Sequence, residues 1–274
     1  MGNIMFYQCN LCVLIITILI PCLSMGYGNN NKPTKNCNLE PGHADSYLLS
    51  LGWQETFCSS SRYHQSKKEC QKNFRPWKYQ QFILHGLWPN QDACGIDYGY
   101  CDKSIVQQKV FCNYPMFKID EENLKKLNLQ MPAANTEDCL ERHEWYKHGN
   151  CQTMSPDKYF LTAVRFTREI NESKFGKYIR GNIGNEITLK SLLREFEKSF
   201  GKNSSRKLYV ACYNNYLMSL NLTLPTITEK NANENLIRLI KQAPNSNHKN
   251  DCSKQLTIMA APLPDNTDYT PLNE

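Results

Sequence analysis

The distribution of cysteines constrains the fold of this chain more than any other feature of its sequence. Thirteen cysteines occur in 274 residues, and only Cys9, Cys12 and Cys22 lie in the apolar N-terminal segment. The remaining ten form an even set along the rest of the chain, which predicts a disulfide framework made in an oxidising compartment. Bound zinc is the competing interpretation, but no Cys-x-x-Cys pair occurs beyond residue 30, so the ligand spacings of zinc ribbons and fingers are absent.

The N-terminus points to the same compartment. Residues 11–20 form an apolar run of ten residues, which Pro21 and several small residues follow. This run is shorter than the about 20 residues that span a bilayer, and it is typical of the core of a secretory signal peptide. We expect residues 1–26 to be a signal peptide with an approximate cleavage site. A signal anchor is the alternative, because no Lys or Arg precedes the run. We expect the mature chain to have no membrane span and to be secreted or, alternatively, luminal or lysosomal.

Three N-glycosylation sequons fit that localisation. They begin at Asn171, Asn203 and Asn221, and such acceptors are used on the surface of secreted chains. Residues 219–224 alternate, with leucines on one side, so we expect Asn221 to point outward from a strand. N-glycans at these positions would make glycan receptors candidate partners.

The composition is that of one globular domain. Hydrophobic residues make up 41% and charged residues 21% of the chain, which excludes a disordered, collagenous or multi-span membrane protein. The net charge of +6 is compatible with a polyanion-binding surface but does not require one. We expect residues 27–274 to form a single domain with a loose polar leader and a loose Pro-rich tail.

Strand and helix patterns follow one another in no strict alternation, which predicts an α+β fold. We expect a central, mainly antiparallel sheet, flanked by helices and stapled by disulfides. Helix signals are clearest at Ser155-Pro156-Asp157 and at Thr188, where capping residues precede amphipathic runs, and Gly201 is a helix end. Strands are expected at residues 47–53, 78–84, 207–212, 219–224 and 256–260.

Residues 143–148, HEWYKH, concentrate ionisable groups. A zinc protease would need two histidines four residues apart on a helix. Here His143 and His148 are five apart, about 140° around a helix, and Lys147 occupies the position of the second ligand. We therefore expect no metal. Imidazole and ammonium groups can instead hold a phosphate, and one imidazole can transfer protons. A solvated charge cluster at a helix end is the alternative interpretation.

A second segment, FILHGLWP at residues 82–89, favours catalysis. His85 ends a predicted strand, Gly86 permits the close approach of another group, and Trp88 with Pro89 forms a rigid apolar wall. A lone histidine in this position is more often structural. A histidine, a glycine and a tryptophan beside an anion site make a better catalytic candidate.

HGLWP at residues 85–89 and HEWYKHGNC at 143–151 resemble the two active-site segments of the T2 family of ribonucleases. The resemblance implies cleavage of single-stranded RNA without a metal or other cofactor, by attack of the ribose 2′-OH on its own phosphate to give a 2′,3′-cyclic phosphate. DNA lacks the 2′-OH and is not expected to be a substrate. The resemblance also implies residue roles: His148 as general base, His85 as general acid, His143 in phosphate binding, Glu144 and Lys147 in transition-state stabilisation, and Trp88 at the phosphate and base region.

The resemblance also bears on the cysteines. It implies the pairs Cys101–Cys151 and Cys212–Cys252, and closeness in sequence favours Cys58–Cys70. Ten cysteines allow many connectivities, so Cys37–Cys94 and Cys112–Cys139 are assigned only by elimination. Three residues depart from the usual pattern of the family, although none is a proposed catalytic group: Asn90 in place of Asp, Asn150 in place of Thr, and Cys139 in place of an aromatic residue.

Two functions are compatible with the sequence. One is a secreted endoribonuclease, which could also act on the RNA of cells that take it up. The other is a binding or signalling glycoprotein that uses the T2 scaffold while its catalysis is idle. The complete set of ionisable residues in both segments argues against the second function alone. The basic clusters at residues 67–78 and 165–180 are typical of solvated surfaces.

Overall fold

The computed structural model describes residues 36–71, 80–134 and 136–261. The expected signal peptide at residues 1–26, the leader up to residue 35 and the tail at residues 262–274 lie outside the described residues. Among the helices of the described part, none combines the length and the apolar character that a membrane span requires.

The described residues form one six-stranded sheet and eight α-helices, joined by loops and short 3-10 turns. The strands are β1 (Ser46–Trp53), β2 (Phe82–Asn90), β3 (Glu186–Thr188), β4 (Leu208–Tyr213), β5 (Tyr216–Pro225) and β6 (Gln255–Thr257). The helices are α1 (Gln54–Ser59), α2 (Arg62–Gln65), α3 (Glu121–Gln130), α4 (Leu140–Lys147), α5 (Pro156–Glu172), α6 (Lys174–Gly181), α7 (Leu189–Phe200) and α8 (Leu236–Gln242). The fold is α+β, as predicted.

The sheet is mainly antiparallel. Its strand order is β2-β1-β5-β6-β3, and β4 pairs with β5. Only the β5–β6 pair is parallel among the described strands. The long strands β1 and β5 therefore form the centre of the sheet, and β2 forms one edge beside β1.

Strand β2 differs from the prediction. We expected a strand at residues 78–84 that ended before HGLWP, whereas β2 begins at Phe82 and continues to Asn90; residues 72–79 lie outside the described residues. Pro89 is accommodated because β2 is an edge strand, where a residue without an N–H group interrupts no internal ladder. The HGLWP segment is therefore part of the sheet itself.

Helices α5 and α7 begin at the predicted capping residues. The Ser155 hydroxyl accepts a hydrogen bond from Lys158 N–H (3.3 Å), and the Thr188 hydroxyl accepts one from Ser191 N–H (3.0 Å). Gly201 follows α7 with a φ of 100°, a conformation that favours glycine. The apolar faces of α5, α6 and α7 join one face of β1 and β2 in the main core, which includes Tyr47, Leu49, Leu51, Trp53, Phe82, Phe160, Phe166, Phe175 and Phe196.

All five expected disulfides are present: Cys37–Cys94, Cys58–Cys70, Cys101–Cys151, Cys112–Cys139 and Cys212–Cys252. The two pairs assigned by elimination are thus confirmed with the others. Each bridge closes a loop of the unfolded chain and so reduces its entropy; the largest sequence separation, 57 residues, is that of Cys37–Cys94.

The structure corrects two of the three expected glycosylation sites. Asn221 is 0% exposed and Asn171 is 4% exposed. The Asn171 amide exchanges two hydrogen bonds with the backbone of Phe82, at 3.0 and 2.8 Å, so neither side chain can carry a glycan in this fold. Asn203 is exposed, in a left-handed turn before a 3-10 helix, and glycosylation there stays a prediction.

Asn221 was expected to point into solvent because its strand alternates. The second face of the sheet is covered instead, because α1 contacts β5 and residues 244–248 wall a cavity over Leu48 and Thr223. Alternation shows that the two faces of a strand differ in polarity, but it does not show that the polar face is in water.

Candidate active site

A β-bulge in β2 presents His85. Ser50 of β1 pairs with Gly86, and Leu51 pairs with Leu84, so His85 is the extra residue that no β1 residue faces. Bulges redirect side chains and are common beside active sites. The His85 side chain remains 44% exposed, and a substrate can therefore reach it although the strand around it is buried.

The end of α4 supplies the second histidine. The helix ends at Lys147, and His148 leaves it with φ −117° and ψ −51°. His148 is the C-cap residue of the helix, and its N–H still donates to the Glu144 carbonyl oxygen at 3.2 Å. The ring centroids of His143 and His148 are 6.3 Å apart. Gly149 follows because a Cβ at that position would collide with the Trp145 ring.

Glycine at position 86 lets the two segments meet. A Cβ there would collide with Glu144 Oε2 and with Trp88 Nε1. The Trp88 indole N–H donates a hydrogen bond of 2.6 Å to that Glu144 oxygen. His85 Nε2 lies 3.8 Å from the other Glu144 oxygen, Oε1. The HGLWP and HEWYKH segments are thus joined by direct polar contacts at the buried Glu144.

Trp88 contacts both candidate proton-transfer residues. Its ring centroid lies 5.2 Å from that of His85, edge-on, and 5.0 Å from that of His148, stacked at 24°. Trp88 is only 5% exposed, so the ring that contacts both imidazoles is itself buried. Its expected role as a wall of the phosphate and base region stays a prediction.

Sequence reasoning missed Phe111. Its ring stacks on His143, with centroids 4.0 Å apart, and it belongs to a loop that Cys112–Cys139 attaches to the start of α4. Arg142 reinforces this attachment by donating hydrogen bonds to the carbonyl oxygens of Cys112 and Tyr114. The only sequence signal was that Phe111 precedes a cysteine, because an aromatic residue in an irregular loop has no periodicity to reveal its partner.

Two of the three departures from the family pattern, Cys139 and Asn150, have structural explanations. Cys139, found where an aromatic residue was expected, precedes α4 in a left-handed conformation (φ 46°) and is tied to Cys112. Asn150, found in place of Thr, accepts a hydrogen bond from Cys101 N–H and donates one to the Tyr146 carbonyl. Both residues therefore support the loops around α4.

Glu144 is a buried acid, with a side chain that is 1% exposed. Burial raises its pKa from 4.5 to about 8, while the Trp88 hydrogen bond and the Lys147 ammonium lower it. Burial is the largest cause because the charged form of a carboxyl group loses its hydration there. The protonation state of Glu144 thus depends on the two groups that partly replace water.

The three histidines of the site have lowered pKa values. Burial and then the Lys147 ammonium lower the pKa of His85 below its usual 6.5, lower that of His143 to about 3, and lower that of His148 well below 6.5. All three are therefore neutral at neutral pH before a substrate binds. A phosphate anion would favour the imidazolium, and solvent-accessible His85 is the ring that can most readily take up that proton.

The site also brings potential metal ligands together. His143, Glu144 and His148 each offer a ligand atom within 4.8 Å of the others. Two features oppose a metal ion: Trp88 already occupies one Glu144 oxygen, and Lys147 lies near enough to depress the pKa of both histidines. A fixed ammonium repels a metal cation over these distances. That the site works without a metal stays a prediction.

A cavity of about 300 Å³ adjoins His85. Its walls come from strands β1, β2 and β5, from the α1–α2 region and from residues 132–140, which include the start of α4. The lining combines apolar and aromatic side chains with a few polar groups, the composition typical of a small-molecule site.

The sequence of the chain matches the Ribonuclease T2 family over residues 44–253. Ribonuclease I of Escherichia coli (strain K12) is 32% identical over 203 residues, which cover 67% of this chain and 76% of that protein. Intracellular ribonuclease LX of Solanum lycopersicum is 29% identical over 162 residues, which cover 57% of this chain and 62% of that protein.

The fold is shared with solved structures of low sequence identity. RNase NT, crystallised in complex with 5′-AMP, superposes with a TM-score of 0.53 at 18% identity, covering 79% of this chain and 98% of that chain. The family match extends over most of the chain and includes both histidine segments of the site. The chain therefore belongs to the ribonuclease T2 family and is a T2-type endoribonuclease.

Proposed function

We propose that this protein is a secreted enzyme that cleaves single-stranded RNA by metal-independent transphosphorylation, with His148 as general base and His85 as general acid. One observation carries the proposal: both imidazoles contact the indole of Trp88, at centroid distances of 5.0 and 5.2 Å. Two imidazoles held on one rigid ring can act on the two sides of a single phosphate, one by accepting a proton and the other by donating one.

The reaction follows from these positions. His148 removes the proton of the ribose 2′-OH, and the 2′-oxygen attacks the adjacent phosphorus. The bond from phosphorus to the 5′-oxygen of the next nucleotide breaks, and His85 protonates that oxygen. The products are a 2′,3′-cyclic phosphate and a free 5′-hydroxyl. Water can then open the cyclic phosphate with the two histidines in exchanged roles.

The other polar groups of the site stabilise charge. The Lys147 ammonium lowers the pKa of His85, His143 and Glu144, which supports a role for it as the positive charge of the cluster. A fixed positive charge stabilises the negative charge that develops on the phosphoryl oxygens. When Glu144 is ionised, its carboxylate, 3.8 Å from His85 Nε2, stabilises the imidazolium form of His85. His143 completes the phosphate-binding group.

The compartment is part of the proposal. Five disulfides are typical of proteins made in an oxidising compartment. An N-glycan on the exposed Asn203 would be available to glycan receptors, and uptake through such receptors would bring the enzyme to cellular RNA. Secretion is tested by measuring the protein in the medium of cells that express the full chain.

The chemistry is tested by incubating purified protein with single-stranded RNA and with DNA, each with and without EDTA. We expect RNA to be degraded in both conditions and DNA to be spared. His85→Phe should remove the activity, and His43→Phe, which changes an exposed histidine outside the site, should not. Loss of activity in EDTA that zinc restores would contradict the metal-independent mechanism. Inactivity of the wild type towards all RNA would favour the idle scaffold.

A further inference from the structure

The second face of the sheet, opposite the main core, carries a row of paired residues beside the active site. Gly86 of β2 faces Ser50 of β1, and Ser50 faces Asn221 of β5. Ser50 and Asn221 are 1% and 0% exposed. The leucines on either side of both residues belong to the main core, so the hydroxyl and amide groups point to the second face, as strand alternation requires.

The Glu144 carboxyl group occupies the place of a side chain in this row. A Cβ at position 86 would collide with Glu144 Oε2, so the carboxyl group lies where a side chain of Gly86 would be. The Cβ atoms of directly paired residues are about 4.5–5.5 Å apart. The Ser50 hydroxyl is therefore a neighbour of the Glu144 carboxyl group across the β1–β2 pair, at a separation that one water molecule can bridge.

Two buried oxygen atoms of the row lack a hydrogen-bond partner among the described residues. They are Ser50 Oγ and Asn221 Oδ1. The Asn221 amide nitrogen already donates to Ser219 Oγ at 3.0 Å, so the amide oxygen is the group that still needs a donor. A buried polar group without a partner destabilises the fold. Buried water molecules typically make about three hydrogen bonds to such groups.

We propose that Ser50 is a positioning residue of the active site, which together with Asn221 holds one bound water molecule against the Glu144 carboxyl group. The inference rests on the proposed function, because it concerns how that site performs catalysis. The water accepts a hydrogen bond from the Ser50 hydroxyl and donates one to Asn221 Oδ1 and one to the Glu144 carboxylate. This arrangement uses both hydrogens of the water and gives each unpartnered oxygen a partner.

The bound water favours the ionised form of Glu144. Burial is the main cause that raises the pKa of this group to about 8, and the Trp88 N–H and the Lys147 ammonium oppose it. A further donor acts in the same direction as these two groups, because a hydrogen bond to a carboxylate stabilises its charged form. The carboxylate in turn stabilises the imidazolium of His85, whose Nε2 lies 3.8 Å from Glu144 Oε1. In the proposed mechanism His85 must carry a proton to act as general acid.

Other titratable groups also face Glu144. They are His85 on β2, His143, Lys147 and His148 on α4 or at its end, Tyr159 on α5, and Tyr100 in the loop before Cys101. Burial raises the pKa of both tyrosines above 10, so they stay protonated at acidic and neutral pH. A substitution of Ser50 replaces none of these groups, and a shifted pH profile would therefore report on the hydration of Glu144.

Kinetics of Ser50→Ala test the role of the hydroxyl. We expect kcat for RNA cleavage to fall by about two- to tenfold, with KM nearly unchanged. The alkaline limb of the pH–rate profile should move to lower pH, because a more protonated Glu144 supports the His85 imidazolium less. Asn221→Leu should have the same effect. The two substitutions together should have little more effect than either alone, since both remove the same water.

Two comparisons separate positioning from a structural effect. In a Glu144→Gln background, Ser50→Ala should leave the pH profile unchanged, because the group that it acts on no longer titrates. Ser204→Ala is the matched control. Ser204 is also a buried serine (2% exposed) whose Oγ has no partner in the described part of the chain, but it lies in the 3-10 turn before β4. This control should retain the wild-type kcat and pH profile.

A crystal structure of the wild-type protein shows the water directly. We expect a water molecule within hydrogen-bond distance of Ser50 Oγ, Asn221 Oδ1 and a Glu144 carboxyl oxygen. An empty position there would overturn the inference, and so would an unchanged pH profile in Ser50→Ala or an equal shift in the Glu144→Gln background. Each of these results leaves the proposed function intact if the wild type cleaves RNA. If Ser50→Ala failed to fold, the wild-type crystal structure would decide. Inactivity of the wild type would refute the proposed function itself.

Discussion

Replacing Trp88 by phenylalanine removes the indole N–H that donates to Glu144 Oε2 at 2.6 Å, while an aromatic ring still lies against His148. Burial raises the pKa of Glu144 from 4.5 to about 8. Between these pH values the folded chain binds more protons than the unfolded chain, so this carboxyl group lowers the free energy of unfolding progressively as the pH rises. The Trp88 hydrogen bond opposes that loss because it stabilises the ionised carboxylate.

The magnitude follows from the charge of the acceptor. A hydrogen bond to an ionised group contributes about 1.5–3 kcal/mol to stability, and one to a neutral group about 0.5–1.5 kcal/mol. Trp88→Phe should therefore destabilise the fold by about 1–1.5 kcal/mol more where Glu144 is ionised than where it is protonated. This difference corresponds to about one unit of further increase in the pKa of Glu144.

Urea unfolding at about pH 5 and about pH 9 measures this difference directly, since the midpoint and slope give the free energy of unfolding at each pH. Trp145→Phe is the control, because Trp145 belongs to the same helix as Glu144 and packs against Tyr159 without bonding to Glu144. The control should be destabilised equally at both pH values. Equal destabilisation of Trp88→Phe at both pH values would refute the assignment of its effect to the Glu144 carboxylate.

Four further predictions concern activity and processing. His85→Phe and His148→Phe should each lower RNA cleavage by about 10²–10⁴-fold, because each removes one proton transfer. Lys147→Ala should retain more activity than either histidine variant. Near wild-type rates in both histidine variants would show that the active site is misassigned. The pH–rate profile should be a bell with its maximum below pH 6.5, because His148 must be neutral, His85 must be protonated, and burial and Lys147 lower the pKa of both; a maximum on the alkaline side would contradict this reasoning. Gly86→Ala should lower activity while leaving the secreted yield measurable, since the alanine Cβ would displace the contact between the Trp88 indole and the Glu144 carboxyl group. Wild-type kinetics in this variant would show that activity does not depend on a glycine at this position. Asn203→Gln should remove the N-glycan from the secreted protein, as seen by a mass shift after glycosidase treatment, and a glycan that persists would place it elsewhere.

Some features were predictable because they depend on neighbours in sequence. The starts of α5 and α7 follow from Ser155 and Thr188, whose hydroxyl groups bond to amides three residues ahead. The two histidine segments were recognisable because each is a long contiguous motif. The even set of ten cysteines predicted a disulfide framework. Closeness in sequence favoured one of the five pairs, the resemblance implied two, and the last two were assigned only by elimination.

Other features arise only when distant segments pack. The position of His148 depends on where α4 stops, which Gly149 and the Trp145 ring decide together. Phe111 reaches His143 because a disulfide anchors its loop. The burial of Asn171 results from hydrogen bonds to Phe82, a residue 89 positions away. No local pattern reports any of these contacts.

The sequence by itself determined which ionisable groups this protein has available for chemistry, because they lie in two short contiguous motifs. Tertiary structure alone decided how that chemistry is presented. A β-bulge at His85 leaves its side chain 44% exposed, Glu144 becomes a buried acid with a raised pKa, and Lys67 meets Asp138 across 71 positions of sequence beside the cavity. The physical reason is that motifs record which groups are present, whereas burial, register and long-range pairing determine the hydration, and hence the charge, of each group.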